Sequence, residues 1–276
     1  MKSVLVTGAS GYIGRHLVNL LIKEGYDVEG IYKKSNKGLP CPAHKIDITE
    51  PNNFNTLKSY DAVVHLAALM QVGESVKIPY QYYNTNLNGT YNVLKNVEYK
   101  NFIFASTGAA QSPVSPYGTS KLAGEHIVKQ WCIDNSLPYT IFRFYNVIGS
   151  EDGIYPTNPE GLMYNMLKAE GTGYININGY DYNTPDGSAI RDYVHVMDIC
   201  RAIVQAIENP SNNIENLGTG VGYTVKQIAN AYMKVNNCKF DLIDLPRRAG
   251  DAEKTVLENP SKYITNSYTL EELVKK

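Results

Sequence analysis

The chain has 276 residues, a formal net charge of −1 and 43% hydrophobic residues, which predicts one large or two coupled domains with a sizeable core. The balanced charge lacks the electrostatic footprint of a protein that binds nucleic acid or an anionic membrane surface. No run approaches ~18 uninterrupted apolar residues, so we expect a soluble enzyme without a membrane segment.

The N-terminal segment carries a nucleotide-binding signal. Residues 3–6 form a short apolar run, and the turn Thr7-Gly8-Ala9-Ser10-Gly11-Tyr12-Ile13-Gly14 follows it. Apolar residues then recur at helical spacing as far as Leu21, before Gly25. A strand, a glycine-rich turn and a helix are the context of a dinucleotide fingerprint, because the glycines let a pyrophosphate approach the helix N-terminus. The alternative is a strand-to-helix turn with incidental glycines. The same strand argues against a signal peptide.

Strands and helices alternate through the first half of the chain. This alternation predicts an α/β fold with a doubly wound (Rossmann) parallel sheet. The predicted strands are 3–7, 27–32, 61–66, 101–105 and 138–144, and the predicted helices lie near 11–24, 50–58, 78–97 and 117–134.

From about residue 145 the chain becomes richer in loops that contain Gly, Pro, Asn and Tyr. We interpret this half as a smaller C-terminal domain that binds the substrate. Its predicted elements are a helix near 160–169, a strand near 174–178, a helix near 194–208, a strand near 214–217, a helix near 224–235, a strand near 239–243 and a helix starting near Thr269.

Tyrosine and lysine occur four residues apart at three places, and the middle pair has a distinctive context. Tyr117 and Lys121 open a helix that follows a buried strand ending at Ser106 and Thr107. In an open parallel sheet, ligands bind outside the carboxyl ends of the strands, so these side chains would share one crevice. The pattern is typical of a site that moves a proton beside a cofactor. The pairs that begin at Tyr91 and Tyr164 are expected to be packing or surface residues.

The cysteines and histidines do not point to a metal. The four cysteines show no paired metal spacing, and the five histidines are far apart in sequence. We therefore assign no metal ligand and expect reduced thiols, as in the cytoplasm. The cysteines are Cys41, Cys132, Cys200 and Cys238.

Several further motifs occur in a fixed order along the chain. Together with Ser115-Pro116-Tyr117-Gly118-Thr119-Ser120-Lys121, they resemble the UDP-galactose (UDP-glucose) 4-epimerases of the extended short-chain dehydrogenase/reductase family, from Met1 to about Leu270. The other motifs are Val72-Gly73-Glu74-Ser75, Asn86-Leu87-Asn88-Gly89-Thr90, Asn158-Pro159-Glu160-Gly161-Leu162-Met163, Arg191-Asp192-Tyr193-Val194-His195-Val196-Met197-Asp198 and Pro246-Arg247-Arg248-Ala249-Gly250-Asp251.

The resemblance implies NAD-dependent epimerisation of UDP-hexoses at carbon 4 through a transient 4-keto sugar, with the N-acetyl forms as further substrates. It implies a dinucleotide-binding domain of residues 1–150 and 193–217, a UDP-sugar-binding domain of residues 151–192 and 218–276, and a homodimer built through the helices near 78–97 and 117–134. Two alternatives remain. One is a catalytically idle NAD(P)-binding regulatory protein, and the other is a different nucleotide-sugar-modifying enzyme of the family.

The resemblance also assigns residues to roles. Tyr117 is the catalytic acid/base, Lys121 holds the nicotinamide ribose, and Thr107 hydrogen-bonds the 4-oxygen of the sugar. The implied cofactor contacts are Gly8, Gly11, Tyr12, Ile13 and Gly14 for the pyrophosphate, Asp47 and Ile48 for the adenine, and Leu66, Ala67, Ala68, Asn86, Lys121 and Tyr145. The implied substrate contacts are Thr107, Tyr117, Asn146, Leu162, Arg191, Arg248, Asp251 and Thr255.

Physical chemistry supports these roles and leaves simpler ones open. A free tyrosine has a pKa of about 10, and a nearby ammonium together with a positive nicotinamide ring is expected to lower it. The planar fork of arginine suits a diphosphate, although Arg191 and Arg248 could instead form surface salt bridges. Asn86 and Asn146 could serve as turn or cap residues.

The chain departs from the family pattern in three ways. The loop from Thr107 to Tyr117 is shorter than usual, as are those near 33–43 and 149–158, which makes this a compact member. Gly108-Ala109-Ala110 follows Thr107, where dehydratases and decarboxylases of the family carry carboxylates. Lys33 and Lys34 end the second strand where an acidic residue binds the ribose of NAD in relatives. NAD is the predicted cofactor, and NADP is the alternative that these lysines leave open.

Overall fold

The computed structural model of the chain describes residues 1–248, 250–264 and 268–276. The strands, in chain order, are β1 (Ser3–Thr7), β2 (Asp27–Tyr32), β3 (Ala43–Lys45), β4 (Ser59–Tyr60), β5 (Ala62–His65), β6 (Glu98–Tyr99), β7 (Phe102–Thr107), β8 (Tyr139–Phe144), β9 (Asn146–Ile148), β10 (Tyr174–Asn178), β11 (Ile190–His195), β12 (Asn212–Leu217), β13 (Gly222–Thr224), β14 (Asp241–Leu245) and β15 (Lys254–Thr255). The α-helices are α1 (Tyr12–Lys23), α2 (Val72–Lys77), α3 (Pro79–Tyr83), α4 (Gly89–Asn96), α5 (Pro116–Asp134), α6 (Leu162–Thr172), α7 (Val196–Glu208), α8 (Val225–Val235) and α9 (Leu270–Leu273).

The chain divides into two compact units. Unit 1 comprises Met1–Phe144 and Cys200–Asn216, and unit 2 comprises Tyr145–Ile199 and Leu217–Lys276. These junctions differ by a few residues from the predicted ones, because β9 pairs with β11 and both strands therefore lie in unit 2. The assignment of one domain to the dinucleotide and the other to the UDP-sugar stays a prediction.

A seven-stranded sheet forms the centre of unit 1, in the order β12-β8-β7-β5-β1-β2-β3. The pairs β1–β2, β1–β5, β5–β7, β7–β8 and β2–β3 are all parallel. From β1 the chain moves outward through β2 to β3, and β5 then returns to the other side of β1. The carboxyl ends of β1 and β5 thus lie at a topological switch point, where such sheets bind ligands. The prediction of a doubly wound parallel sheet is confirmed.

The sheet of unit 1 is buried because its strands are apolar on both faces, as parallel strands covered by helices must be. Leu5, Val63, Phe102 and Phe104 are fully buried in one core cluster, which α4 and α5 also supply. Burying each such side chain stabilises the fold by about 1.5–3 kcal/mol. This core fixes the strand ends that carry the candidate site.

Unit 2 is built from two small sheets and its own core. In one sheet β11 pairs with β9, β13 and β15, and in the other β10 pairs with β14. Side chains of α6, α8 and β10 meet in a second hydrophobic cluster. A capping box begins α8, in which the side chains of Thr224 and Gln227 each bond the other's backbone.

Two predicted helices differ from the structure. The helix predicted at 50–58 was wrong, because only a 3₁₀ turn at Pro51–Phe54 forms before β4. Asparagines at 52, 53 and 55 disfavour a helix interior, since their side chains compete for backbone hydrogen bonds. The helix predicted at 78–97 is divided into α3, a π-helical turn at Asn84–Asn88, and α4.

Candidate active site

The turn after β1 is formed by glycines that no other residue could replace without strain. Gly8 has φ +68°, and a Cβ there would lie 2.9 Å from the backbone nitrogen of Ala67. A Cβ on Gly14 would collide with the carbonyl oxygen of Gly8. Gly11 precedes α1, whose first turn has no side-chain cap and no acidic residue. The helix start, including Tyr12 and Ile13, therefore offers an anion-binding end.

Thr107 and Tyr117 lie where β7 ends and α5 begins. The Ser115 hydroxyl accepts the N–H of Gly118 at 3.2 Å and so caps α5, whose first residue is Pro116. Thr107 Oγ1 accepts the N–H of Ala109. The short loop between these residues joins the end of β7, which carries the predicted sugar-binding hydroxyl, to the first turn of α5, which carries the predicted acid/base.

The pKa of Tyr117 is shifted upward in the protein by itself. Burial raises it above the ordinary 10.0, and the hydrogen bond from Thr107 lowers it only in part. The expected lowering includes the positive nicotinamide ring, so it stays a prediction for the enzyme with bound cofactor. In the protein by itself, desolvation outweighs the other contributions. Tyr117 is a phenol in this state, so a further positive charge is required to make it a base near neutral pH.

Lys121 is buried one helical turn beyond Tyr117. Its side chain is 4% exposed, and its Nζ lies 4.2 Å from the centre of the Phe104 ring. Burial lowers its pKa to about 7, while the carboxylate of Glu125 raises it. Within the described part of the chain, this ammonium has no hydrogen-bond acceptor. A buried cation of this kind calls for a polar ligand.

A buried ion pair behind the site was missed in the sequence. Glu125 is 2% exposed and binds Arg143 in a bidentate manner, at 2.9 Å from Nε and 2.6 Å from Nη2. The hydroxyl of Ser106 donates to the same carboxylate. The pair joins α5 to the ends of β7 and β8. A glutamate four residues after Lys121 was the signal that could have identified it.

The other two tyrosine–lysine pairs do not form comparable sites. Tyr91 is 41% exposed and packs edge-on against Trp131, with ring centres 5.7 Å apart. Lys168 lies over its own partner Tyr164, at 5.5 Å from the ring centre. These contacts agree with the interpretation of both pairs as packing or surface residues.

Asn86 has its amide fully committed to protein groups. Its Oδ1 accepts the N–H of Leu69 at 2.8 Å, and its Nδ2 donates to the Leu69 carbonyl and to Ser120 Oγ. Both donors of the amide are therefore used within the protein, and the role of Asn86 as a cofactor contact stays a prediction. Its contacts hold the segment after β5, in which Leu66, Ala67 and Ala68 are half-buried.

The predicted adenine contacts lie beside β2. Asp47 accepts the N–H and the hydroxyl of Thr49 and forms an ion pair with Lys33 at 2.7 Å. Burial alone would raise the pKa of Asp47, but Lys33 and Thr49 outweigh burial and lower it. The Ile48 side chain is buried against Gly89 in the core. Lys33 is thus engaged by a carboxylate, whereas Lys34 is exposed.

Three of the predicted substrate residues lie on one sheet of unit 2, and a fourth, Asp251, lies just before its strand β15. Asn146 in β9 is opposite Tyr193 in β11, and its Nδ2 donates to the carbonyl of Asp192. Arg191 in β11 pairs with Thr255 in β15, and its Nη2 lies 3.9 Å from the carboxylate of Asp251. The pairing of β11 with both neighbours thus collects residues that are far apart in sequence.

The side chain of Asp192 holds the segments around this sheet in place, a role that was not predicted from the sequence. It is fully buried, and its carboxylate accepts the N–H groups of Thr219, Gly220 and Leu257 together with the Thr219 hydroxyl. It fixes the turn before β13 and the segment after β15. The remaining predicted residues of unit 2 are Leu162, which begins α6, Arg248, which lies between β14 and β15, and Tyr145, whose N–H bonds the Leu217 carbonyl.

Comparison with known proteins gives the family. The sequence signature of the NAD dependent epimerase/dehydratase family matches residues 4–218. The chain belongs to the NAD dependent epimerase/dehydratase family. That range includes the glycine turn after β1, Thr107, Tyr117 and Lys121, which are the residues that the geometry singles out.

Individual members of the NAD dependent epimerase/dehydratase family are similar to this chain over most of its length. UDP-glucose 4-epimerase of Schizosaccharomyces pombe is 31% identical, over 94% of this chain and 87% of that protein. The crystal structure of UDP-glucose 4-epimerase from Bifidobacterium longum in complex with NAD⁺ and UDP has a TM-score of 0.87 and 29% identity, over 99% of this chain and 96% of that one. The UDP-Glc/GlcNAc 4-epimerase of Campylobacter jejuni has a TM-score of 0.82 and 27% identity, over 100% and 97%.

The residues of this epimerase/dehydratase family member fit the cofactor that the family name specifies. A pyrophosphate matches the uncapped start of α1, and a ribose hydroxyl would satisfy the buried ammonium of Lys121. Among the described residues, no group of three or more His, Cys, Asp or Glu side chains could hold a metal ion. No helix in the described ranges is long and apolar enough to cross a bilayer.

Proposed function

We propose that the protein is an NAD-dependent UDP-hexose 4-epimerase that interconverts UDP-glucose and UDP-galactose through a transient 4-keto sugar. The observation that carries the proposal is the placement of Thr107 at the end of β7 and of Tyr117 in the first turn of α5, followed one helical turn later by the buried, unpaired ammonium of Lys121. The similarity to UDP-glucose 4-epimerases over more than nine tenths of the chain supports the same function.

In this proposal Tyr117 moves the proton of the sugar's 4-hydroxyl. Thr107, whose oxygen accepts the Ala109 N–H, donates its own proton to the Tyr117 oxygen and stabilises the phenolate. Lys121 binds the ribose and contributes positive charge. Bound NAD would supply the hydride acceptor and a positively charged nicotinamide ring, which is the further charge that Tyr117 requires. Tyr117 then returns the proton after the keto sugar has presented its opposite face, so configuration inverts without net oxidation.

The nucleotide half of the substrate must stay bound while the sugar turns. Arg191, Arg248 and Asp251 are the residues that we propose for this role in unit 2. The guanidinium of Arg191 is held by the carbonyls of Ile190 and Glu253, and its planar fork suits a diphosphate. The salt bridge of Arg191 to Asp251 is long, at 3.9 Å, so the guanidinium can exchange this carboxylate for a phosphate.

The other chemistries of the family are less compatible with this site. Elimination and decarboxylation need further acid/base groups after the strand-end hydroxyl. Here a 3₁₀ turn of Gly108–Ala110 follows Thr107 and contains no ionisable side chain. A catalytically idle protein is equally disfavoured, because Thr107, Tyr117 and Lys121 are all present and lie on two adjoining elements, the end of β7 and the start of α5.

A conversion assay tests the proposal directly. Purified protein is incubated with UDP-galactose without added nucleotide, and UDP-glucose is measured with a coupled dehydrogenase. We expect the same mixture of the two sugars to be reached from either side. Absence of epimer from both sugars would contradict the proposed function, and a dehydrated product would favour the other chemistry.

The cofactor is proposed to be NAD rather than NADP. The ion pair of Lys33 with Asp47 supports this, because the lysine charge next to the ribose is already neutralised. An epimerase also regenerates its cofactor in each cycle and gains little from a different pool. Mass spectrometry of the nucleotide released on denaturation distinguishes the two, and mainly NADP would overturn the choice.

We also propose a cytoplasmic homodimer. Large apolar side chains are exposed on the helices that follow β5, with Val76 at 64% and Tyr80 at 76%. Such a surface favours association through this side of unit 1. The four cysteines are free, which suits a reducing compartment. A monomeric mass by light scattering together with full activity would contradict the dimer.

The identity of the sugar is predicted to depend on Thr255. This residue is exposed at the end of β15 beside Arg191, and its side chain is small. We expect the parent to accept the N-acetyl pair of UDP-sugars as well as UDP-glucose and UDP-galactose. Thr255→Tyr should lower kcat/KM for the N-acetyl pair by about tenfold or more relative to the other pair.

The control for that prediction is Thr172→Tyr, which enlarges another exposed threonine of unit 2 at the end of α6. Both variants are assayed with both sugar pairs. Equal losses for the two pairs in Thr255→Tyr, or a parent without N-acetyl activity, would mean that Thr255 does not select the sugar.

A further inference from the structure

A continuous line of buried hydrogen bonds runs from the end of β1 to the first turn of α5. Its members are Thr7, His65, Thr90, Asn86 and Ser120, which we call the polar strap, and each is at most 1% exposed. His65 Nδ1 lies 2.7 Å from Thr7 Oγ1, and His65 Nε2 lies 3.0 Å from Thr90 Oγ1. The strap therefore begins one residue before Gly8 and passes through the carboxyl end of β5.

The second half of the strap leads to the predicted acid/base. Thr90 Oγ1 donates to the Asn86 carbonyl at 2.7 Å, and Asn86 Nδ2 donates to Ser120 Oγ at 2.9 Å. Ser120 Oγ in turn donates to the carbonyl of Tyr117 at 2.8 Å. The π-helical turn at Asn84–Asn88 supplies both groups of Asn86, and such turns recur at functional sites.

The direction of every hydrogen bond in the strap follows from its partners. The single proton of Thr90 goes to the Asn86 carbonyl, which can only accept, so Thr90 accepts from His65 Nε2–H. Burial, helped by the charge of Lys121, lowers the pKa of His65 to about 3, so the imidazole is neutral. Its Nδ1 accepts from Thr7, whose oxygen accepts the N–H of Ala67 at 3.1 Å. Along the strap, each donor points from the Thr7 end toward Ser120, and no donor is without an acceptor.

The charged groups around His65 agree with a neutral imidazole. The ring stacks on Phe104 with centres 5.8 Å apart, and the ammonium of Lys121 lies over the same Phe104. Glu125, from α5, is bound by Arg143 and Ser106 and so does not pair with His65. A second positive charge beside Lys121 would be costly, which keeps His65 in the form that the strap requires.

We propose that the polar strap positions the cofactor-binding turn of β1 relative to Tyr117, and that Thr90 is a positioning residue of the epimerase reaction. This rests on the function proposed above. Hydride and proton transfer need the cofactor and the tyrosine oxygen in one fixed geometry, and small displacements of such groups are costly. The strap is a buried link between the two elements, since it joins β1, β5, α4 and α5 through side chains that are at most 1% exposed.

The test separates the effect of the side-chain shape of Thr90 from the effect of the hydrogen bonds that its hydroxyl makes. Thr90→Val keeps the shape and removes the hydroxyl, whereas Thr90→Ser keeps the hydroxyl. The matched control is Thr140→Val, because Thr140 is also fully buried in unit 1 and, among the described residues, its hydroxyl bonds Ser211 alone, at 3.2 Å. Melting temperature, kcat, KM and the rate at which bound nucleotide is lost on dilution are measured for all of them.

We expect Thr90→Val to lower kcat by about ten- to a hundredfold with KM within about twofold of the parent. Bound nucleotide should also dissociate faster, while Thr90→Ser and Thr140→Val keep the parental values. Unchanged kcat and nucleotide retention in Thr90→Val, or equal losses in Thr140→Val, would overturn the proposal. A parent that converts no UDP-sugar would instead refute the proposed function, and the nucleotide-loss rates would still test the strap.

A second experiment uses the two ends of the strap, in case Thr90→Val does not fold. Thr7→Val and Ser120→Ala alter side chains that do not touch each other, so a double-mutant cycle in kcat should be additive if they act independently. We expect a double variant that is no more than about threefold slower than the worse single variant. Full multiplication of the two losses would show that the strap transmits nothing.

Discussion

Replacing Tyr117 with phenylalanine is expected to lower kcat for UDP-galactose by about 10²- to 10⁴-fold, the usual contribution of a positioned acid/base. The phenol oxygen is the group whose pKa Thr107 lowers, and its removal leaves the sugar's 4-hydroxyl without a proton acceptor. The ring remains, so its edge-on packing with Tyr82 at 6.4 Å and the fold around it should persist. Bound nucleotide is therefore expected to be retained in the variant.

The chain supplies two controls for this prediction. Tyr91→Phe and Tyr164→Phe change the tyrosines of the other tyrosine–lysine pairs, which are exposed or covered by their own lysine. Both should retain kcat within about twofold, on the usual scale for surface changes. Comparable losses at all three positions would mean that the catalytic tyrosine has been misassigned.

Replacing Lys121 with methionine is expected to abolish most turnover and yet stabilise the nucleotide-free protein. Turnover should fall by about 10²- to 10⁴-fold, because both the ribose contact and the positive charge are lost. Burial lowers the pKa of Lys121 from 10.5 to about 7, partly offset by Glu125. Since the folded-state pKa lies below the unfolded one, the free energy of unfolding falls as pH drops from 10.5 to about 7, by about 1.4 kcal/mol per unit.

Methionine is similar in length to lysine and carries no charge, so it removes the loss of unfolding free energy that burial of the Lys121 amine causes. At pH 8 we expect a gain of about 3 kcal/mol, or about 7 °C in Tm. Calorimetric scans of nucleotide-free parent and variant at pH 8 and pH 10.5 measure it, and the difference should shrink at the higher pH. Lys129→Met, on the exposed side of α5, is the control and should change neither property. A lower Tm for Lys121→Met at pH 8 would contradict the assignment of an unpaired buried ammonium.

The central sheet could be predicted because its strands carry long apolar runs separated by helical patterns. β1, β2 and β8 appear at or within one residue of their expected bounds. The short strands β3, β9, β13 and β15 could not be found, because two or three residues give no periodicity and their pairing is decided by the tertiary fold. The π-helical turn was hidden for the same reason, since a helical pattern does not reveal one inserted residue.

The candidate site was predictable where a motif is flanked in sequence by the strand and helix that it requires, as in the glycine turn and the Tyr117–Lys121 helix. The residues that support it were not, because His65, Thr90 and Glu125 gain their meaning from partners distant in sequence. Asn86 was recognised by its motif, but the hydrogen bonds of its amide to protein groups were not predicted from the sequence. Burial also raises the pKa of Tyr117 in the protein by itself, a contribution that no spacing of residues could reveal.

The central claim is that carbon 4 is inverted by a hydride that leaves and returns within one active site. UDP-galactose carrying deuterium at carbon 4 is incubated with the protein in ordinary water without added nucleotide, and the product is analysed by mass spectrometry and NMR. We predict UDP-glucose that keeps its deuterium at carbon 4, because a hydride held on bound NAD does not exchange with water. UDP-glucose that has lost the deuterium to solvent, or no UDP-glucose at all, would contradict this account.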